Sequence, residues 1–261
     1  MKCEFFIKHS FFIVKKTVLT RCFWGMFVFL FIFSHLGYAQ MFSVDDNNRP
    51  GIRGIPATAI YLGAEPASFD YQGPDDIPNS GEYEFNGTLI RFRLESYGIN
   101  LFMASGGDIT GIDDVSYFDA GLKAGYGITL LNNRRMMVQI PFQLVTSITS
   151  VVNRNVVGLN RQFQQGALIG GVGGYIGLRP VERIRLQFNV VPNYGFSFAT
   201  GNTFGGSLLH VEGQARLFFD RVFGEMGLSL GYDYNYKNYN IEEDLFDYKL
   251  NTHSILVGIT F

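Results

Sequence analysis

Apolar and polar residues alternate along most of the chain after residue 57. Between Phe118 and Leu130 every even position is apolar, while the odd positions carry Asp, Lys, Thr or Gly. Since successive side chains of a β-strand point to opposite faces, this pattern predicts a strand with one apolar face and one polar or small face. The same period of two recurs in residues 136–148, 183–198, 207–219, 224–237 and 255–261.

The connections between these predicted strands alternate between short, charged turns and longer polar loops. This alternation is typical of transmembrane β-barrels. Most of the predicted strands after residue 117 have 13 residues or more, which also exceeds the ~5–6 residues usual in soluble sheets. A soluble β-sandwich is the alternative, in which the apolar face would turn inward to a core. The predicted short connections are residues 132–135, 179–182 and 220–223, and the longer ones are residues 150–165, 199–206 and 240–248.

The number of strands follows from parity, because single-chain bacterial barrels have even numbers of strands. With a Gly-rich strand at residues 166–179, seven strands are predicted after residue 117, and a hairpin at residues 83–95 and 98–105 adds two. A further strand at residues 57–64 would be followed by an extracellular loop at residues 65–82. We therefore predict an all-β fold, a transmembrane antiparallel up-and-down barrel of ten strands with eight as the alternative, spanning residues 57–261.

The first 39 residues have the pattern of a cleaved signal peptide. A basic region precedes an eleven-residue apolar run, Phe23–Phe33, and small residues stand at Gly37 and Ala39 before the predicted cleavage site. A membrane-anchor helix is the alternative, but spanning a bilayer takes about 20 apolar residues. We expect residues 1–39 to be removed and residues 40–56 to form a short periplasmic segment.

Composition and charge narrow the function classes. Of the 261 residues only 17% are charged, against about 25% in soluble domains, and 47% are hydrophobic, which argues against disorder. The 21 Lys and Arg residues against 23 Asp and Glu leave no basic excess for nucleic acid. Both cysteines, Cys3 and Cys22, lie in the predicted signal peptide. We therefore expect no disulfide, no thiol chemistry, no metal site and no cofactor.

The last nine residues carry a resemblance to a known class. His253–Phe261 looks like the C-terminal signal of bacterial outer-membrane β-barrel proteins, with Val257, Ile259 and Phe261 at its alternate apolar positions. The resemblance implies location in the cell outer membrane, contact with outer-membrane lipid, and recognition by the barrel-assembly machinery. The Gly- and Tyr-rich sequence is also similar to small outer-membrane barrels of Bacteroidetes-type bacteria.

The side chains on the polar face of the predicted strands should point into the barrel, and they form the candidate functional site. A barrel of eight to ten strands has a narrow interior that side chains can fill. Charges enclosed there should pair, because an unpaired charge away from water is costly. A structural salt-bridge network is one interpretation, and a narrow pore or ligand pocket is the other. The candidate lumen-lining residues are Arg91, Arg93, Glu95, Asp119, Lys123, Arg183, Arg185, His210, Glu212, Arg216 and Asp233.

Three functions fit this interpretation of the sequence. The first is a non-enzymatic barrel with a largely filled lumen, acting structurally or in surface interactions through long extracellular loops, with an unknown partner. The second is a narrow pore or small-ligand transporter. The third is a membrane-embedded hydrolase similar to omptins, in which His210 near Asp108, Asp113 and Asp114 would activate a water molecule. The sequence favours the first.

Overall fold

The structure is a computed structural model. The predicted signal peptide, residues 1–39, and the predicted periplasmic segment, residues 40–56, lie outside the residues that it describes. The described residues are 58–72, 83–96, 98–107, 110, 114–155, 162–199, 206–240 and 247–261.

These residues form antiparallel strands that close into one barrel. Each strand pairs with its neighbours in the chain, except that β6 and β7 do not pair with each other, and β1 pairs with the last strand to complete the cylinder. Segments β6 and β7 both lie between β5 and β8, so they make one wall strand that is interrupted at Gly173. The strands are β1 (Thr58–Gln72), β2 (Phe85–Ser96), β3 (Ile99–Gly106), β4 (Val115–Asn132), β5 (Met136–Asn153), β6 (Gln162–Val172), β7 (Gly174–Val181), β8 (Ile184–Ala199), β9 (Gly206–Phe223), β10 (Met226–Asn240) and β11 (Asp247–Thr260).

The wall is therefore ten-stranded, which confirms the predicted fold and strand number over the alternative of eight. Tight turns such as residues 133–135, 182–183 and 224–225 connect strands at one end, which we call the turn end. The longer connections lie at the other end, which we call the loop end. None of the described residues belongs to a helix long and apolar enough to cross a membrane.

The alternation of the sequence separates the outside of the barrel from its inside. Apolar side chains face outward, and Ile255, for example, is 68% exposed. Charged side chains such as Arg93 and Asp233 are buried in the lumen. A soluble β-sandwich would place these faces the other way round, so that alternative was wrong. The exposed apolar residues include Leu62, Ile90, Leu101, Tyr126, Leu130, Leu144, Val190, Phe196, Leu230, Val257 and Ile259.

Strand β1 is longer than predicted, and the predicted loop at residues 65–82 begins too early. The strand continues through Pro66, which pairs with Thr88 of β2. The ladder between β1 and β11 passes from Ala64 directly to Ala67. Proline cannot donate to a ladder, and it is tolerated here because that pairing is interrupted on the β11 side.

Strand β9 also runs further than predicted. The predicted turn at residues 220–223 belongs to the strand, and the turn itself is at residues 224–225. Arg221 has a φ of 57° and Gly224 a φ of 66°, and the ladder between β9 and β10 shifts register beside them. A bulge of this kind adds residues to one strand without ending its pairing, which the alternation alone does not indicate.

Gly173 gives a test of the interrupted wall strand. A Cβ at this position would lie 2.0 Å from the carbonyl oxygen of Val190, whereas a Cβ on neighbouring Gly174 would meet nothing within 4 Å. We expect Gly173→Ala to lower the free energy of unfolding by about 1–3 kcal/mol through this overlap. Gly174→Ala is the matched control, and urea unfolding of the barrel in lipid vesicles measures both. Equal stability of the two variants would contradict the close approach.

Candidate functional site in the barrel lumen

The lumen contains three layers along the barrel axis. Strand β9 shows them in order, with Leu208 in an aromatic-rich layer near the loop end, Glu212 in a charged layer, and Gln214 beside a cavity that opens at the turn end. We call these layers the aromatic cluster, the charged network and the turn-end cavity.

The aromatic cluster packs inside the lumen on the loop-end side of the charges. The ring centroid of Phe69 lies 4.8 Å from that of Tyr248, 5.9 Å from that of Phe163 and 6.0 Å from that of Tyr117. Rings at such separations pack as in a protein core. The aromatic members of the cluster are Phe69, Tyr83, Phe85, Phe102, Tyr117, Phe163, Tyr239 and Tyr248.

The alternation of apolar and polar residues did not reveal this cluster. Phe69 fell in the predicted extracellular loop, so its inward direction could not be inferred. Tyr117 lies two residues before Asp119, on the same inward phase. An aromatic residue among the inward positions of a predicted strand could therefore have indicated aromatic packing in the lumen.

The charged network is centred on Glu212. Its carboxylate accepts hydrogen bonds from Lys123 Nζ, 3.0 Å from each oxygen, and from Gln214 Nε2 at 2.8 Å. Arg93 Nη2 lies 3.4 Å from Glu212 Oε1. Lys123 and Arg93 belong to β4 and β2, each four strands from β9 around the wall. These contacts therefore cross the lumen instead of linking adjacent strands.

Two further carboxylates complete the network. Arg93 Nη1 lies 3.0 Å from Asp233 Oδ2, and Arg216 also pairs with Asp233. The second Arg216 nitrogen, Nη2, lies 3.2 Å from Glu95 Oε1. Each charge in this group therefore has at least one partner of opposite sign, as an enclosed charge requires.

Two ion pairs lie beside the network. Arg91 pairs with Glu65, which also accepts a hydrogen bond from Ser254. Lys237 Nζ lies 2.9 Å from Asp119 Oδ1, although β10 and β4 are five strands apart in either direction. This salt bridge thus spans the full width of the barrel.

The charges of this layer balance and leave little space. A cavity of only about 10 Å³ remains among them, roughly enough for one water molecule. The side chains of this layer therefore fill most of the lumen at this level. The acidic members are Glu65, Glu95, Asp119, Glu212 and Asp233, and the basic members are Arg91, Arg93, Lys123, Arg216 and Lys237.

Most of the candidate lumen residues lie inside the barrel. Glu95, near the turn end, is 27% exposed. Arg185 is buried and donates two hydrogen bonds of 2.7 Å to Asp220. Arg183 was wrongly placed, because it occupies the turn between β7 and β8 and is exposed. The buried candidates are Arg91, Arg93, Asp119, Lys123, Arg185, His210, Glu212, Arg216 and Asp233.

Two charged lumen residues were missed. Glu65 lay in the predicted loop, so no phase was assigned to it. Lys237 lies on the same phase as Asp233, so the alternation alone could have identified it.

His210 is buried in the lumen and is only 5% exposed. Its Nε2 lies 3.3 Å from Asn235 Oδ1, and Leu208, the next inward residue toward the loop end, belongs to the aromatic cluster. The hydrolase hypothesis expected this histidine at the rim of the lumen. Its expected partners Asp108 and Asp113 lie outside the described residues, and Asp114 is exposed. The described ranges contain no group of three or more His, Cys, Asp or Glu side chains arranged to hold a metal ion.

The predicted assembly-signal residues lie on the outer face of β11 at the turn end. The side chains of Val257, Ile259 and Phe261 are exposed. The backbone N–H of Phe261 donates a 2.9 Å hydrogen bond to the carbonyl of Thr58. The end of the chain is thereby held at the seam between the first and last strands.

The turn-end cavity is much larger than the space left within the charged network. Its volume is about 290 Å³. Glu95 and Lys123 line the cavity together with several amide side chains. The main polar lining residues are Asn100, Gln139, Gln143, Tyr175, Gln187, Asn189 and Gln214.

This chain is similar to solved structures of bacterial outer-membrane β-barrel proteins. The outer membrane protease OmpT from Escherichia coli is 9% identical with a TM-score of 0.41, and the match covers 80% of this chain and 100% of that chain. Ail, the attachment invasion locus protein of Yersinia pestis, is 13% identical with a TM-score of 0.27, covering 78% and 97%. No protein-family model matches, and no curated protein is similar. Similarities this distant assign no function.

Proposed function

We propose that this chain is an integral outer-membrane β-barrel with a blocked lumen, which acts structurally or in surface interactions through its loop end. Closure of the barrel pairs every wall strand on both sides, so no strand remains as an open edge with a row of unpaired backbone N–H and C=O groups. A lipid environment requires this, because it offers these groups no hydrogen-bond partners. Its apolar side chains face outward, where a bilayer would cover them. The predicted signal peptide and the C-terminal strand with Val257, Ile259 and Phe261 support export and assembly in the outer membrane.

One observation carries the proposal of a blocked lumen. The Lys237–Asp119 and Lys123–Glu212 pairs cross the barrel, and the aromatic cluster packs against the same level from the loop end. A solute would have to separate buried ion pairs and displace packed rings, and both changes are costly. The pore hypothesis gains no support from this arrangement. Short turns face the periplasm in outer-membrane barrels, so in the proposed barrel the loop end faces away from the cell. The loop end is then the surface available to a partner.

Two finer parts of the proposal rest on the sequence. Recognition by the barrel-assembly machinery rests on the residues of β11, and membership of a small Bacteroidetes-type barrel family rests on the Gly- and Tyr-rich composition. Both are proposals about biogenesis and ancestry, and neither affects the argument about the lumen.

Planar-bilayer recording tests the blocked lumen. We expect the purified barrel to insert without single-channel steps at neutral pH, because the ion pairs and the aromatic cluster close the lumen. Heat-modifiable gel migration of the same sample verifies that the barrel is folded. Reproducible steps of constant size from folded protein would contradict the proposal and favour a pore.

A further inference from the structure

Three neighbouring connections at the turn end carry a row of arginines. Arg134 and Arg135 lie in the turn between β4 and β5, Arg183 lies in the turn between β7 and β8, and Arg221 lies at the bulge of β9. All four side chains are exposed. We call these four residues the basic rim.

Backbone hydrogen bonds hold the three connections side by side. The N–H of Arg179 donates to the carbonyl of Arg135 at 2.7 Å, and the N–H of Asp220 donates to the carbonyl of Arg183 at 2.8 Å. The first bond joins the β4–β5 turn to β7, and the second joins the β7–β8 turn to the bulge of β9. The basic rim is therefore one continuous arc along the wall.

The protein itself does not neutralise the basic rim. None of the ion pairs among the described residues involves its four guanidinium groups. Asp220, next to Arg221 in sequence, instead accepts two hydrogen bonds of 2.7 Å from Arg185. Glu182 accepts from Arg179 through its backbone carbonyl and not through its carboxylate. The arc thus keeps a positive charge that an external anion can pair with.

Exposed apolar side chains lie close to these arginines in the same connections. Leu131, Val181 and Phe223 are 44%, 55% and 62% exposed, and each lies within three residues of an arginine of the basic rim. A soluble anion would neutralise the arginines but leave these apolar side chains in water. A bilayer surface covers both kinds of side chain, because its acyl chains and its phosphates meet at this depth. The combination therefore favours a lipid headgroup.

The outer wall places the basic rim at the edge of the apolar surface. On β4, Tyr126, Ile128 and Leu130 are exposed one after another toward the turn, and Arg134 follows them. Phosphates lie at such a boundary in a membrane, and the planar guanidinium group can donate two parallel hydrogen bonds to phosphate oxygens.

We propose that the basic rim binds the headgroups of anionic phospholipids in the periplasmic leaflet. This inference rests on the proposed membrane barrel, because it requires the turn end to lie at the periplasmic surface of a bilayer. It adds a preference for lipid charge that neither the blocked lumen nor the role proposed for the loop end requires.

Electron spin resonance of spin-labelled lipids tests the preference. The full-length barrel is inserted into phosphatidylcholine vesicles that contain a trace of spin-labelled phosphatidylglycerol or spin-labelled phosphatidylcholine. The native barrel should immobilise more of the phosphatidylglycerol, and the difference should shrink as salt is added, because exposed charges are screened. The double variant Arg134→Gln with Arg183→Gln should lower the relative affinity for phosphatidylglycerol about fivefold, the effect of roughly one cation at a membrane surface.

The matched control is the double variant Arg154→Gln with Lys249→Gln. It removes two positive charges from exposed positions at the loop end, and it should keep most of the native preference. Heat-modifiable migration verifies that each variant is folded.

Loss of the preference in the turn-end variant alone supports the proposal. Equal immobilisation of the two lipids by the native barrel, or an equal preference in the two double variants, would overturn it. Failure of the folded native barrel to insert into vesicles would contradict the proposed membrane barrel, and this inference with it.

Discussion

Replacing Glu212 with Gln is expected to lower the free energy of unfolding by about 3–5 kcal/mol. The substitution keeps the shape of the side chain but removes the negative charge on which Lys123 and Arg93 converge. Arg93 still has Asp233 as a partner, whereas Lys123 is left as a buried and uncompensated cation. Urea unfolding in lipid vesicles, followed by gel migration, measures the change.

Two further variants make this result specific. Glu225→Gln removes a carboxylate from the exposed turn between β9 and β10 and should leave stability almost unchanged. The double variant Lys123→Met with Glu212→Gln removes both charges and should recover part of the loss, because no unpaired lysine remains. A double variant no more stable than Glu212→Gln alone would contradict the crossing ion pair.

Phe69→Ala is expected to cost about 3–5 kcal/mol of the free energy of unfolding. Phe69 is buried against Tyr117, Phe163 and Tyr248, so its removal leaves a cavity between rings that cannot all move inward. The loss should appear as a lower urea midpoint and a lower temperature for loss of the folded gel band.

The control for this variant is the same substitution on the outer wall. Phe196 is exposed on β8 and contacts Phe198, so Phe196→Ala leaves no internal cavity and should cost clearly less. Equal costs for the two variants would mean that the aromatic cluster does not act as a packed core. The comparison separates packing inside the lumen from contact with lipid or detergent.

The alternation of the sequence was enough to predict the fold class. A period of two depends only on the geometry of one strand, so the phase that carries Arg91 and Arg93 could be separated from the phase that carries Ile90 and Phe92 without knowledge of the partners. Parity then favoured ten strands. The same local rule failed at strand ends, where it extended the inward phase to Arg183 and stopped β1 before Pro66.

The partners that meet across the lumen cannot be inferred from the alternation within a single strand. Asp119 and Lys237 are 118 residues apart in sequence, and only the closure of the wall brings them to opposite sides of one level. The aromatic cluster likewise draws Phe69, Tyr117, Phe163 and Tyr248 from four strands. Neither arrangement has a local signature, because each depends on the register of every ladder between the strands involved.

The amino-acid sequence by itself thus determined that the chain forms an antiparallel barrel with apolar residues outside and charges inside, because side-chain alternation is a property of each strand. The tertiary structure alone decided that the charges pair across the lumen, that aromatic rings pack inside the lumen near the loop end, and that a polar cavity remains at the turn end. The physical reason is that strand register and barrel closure set which inward side chains meet, and the free energy of burying a charge depends on that meeting.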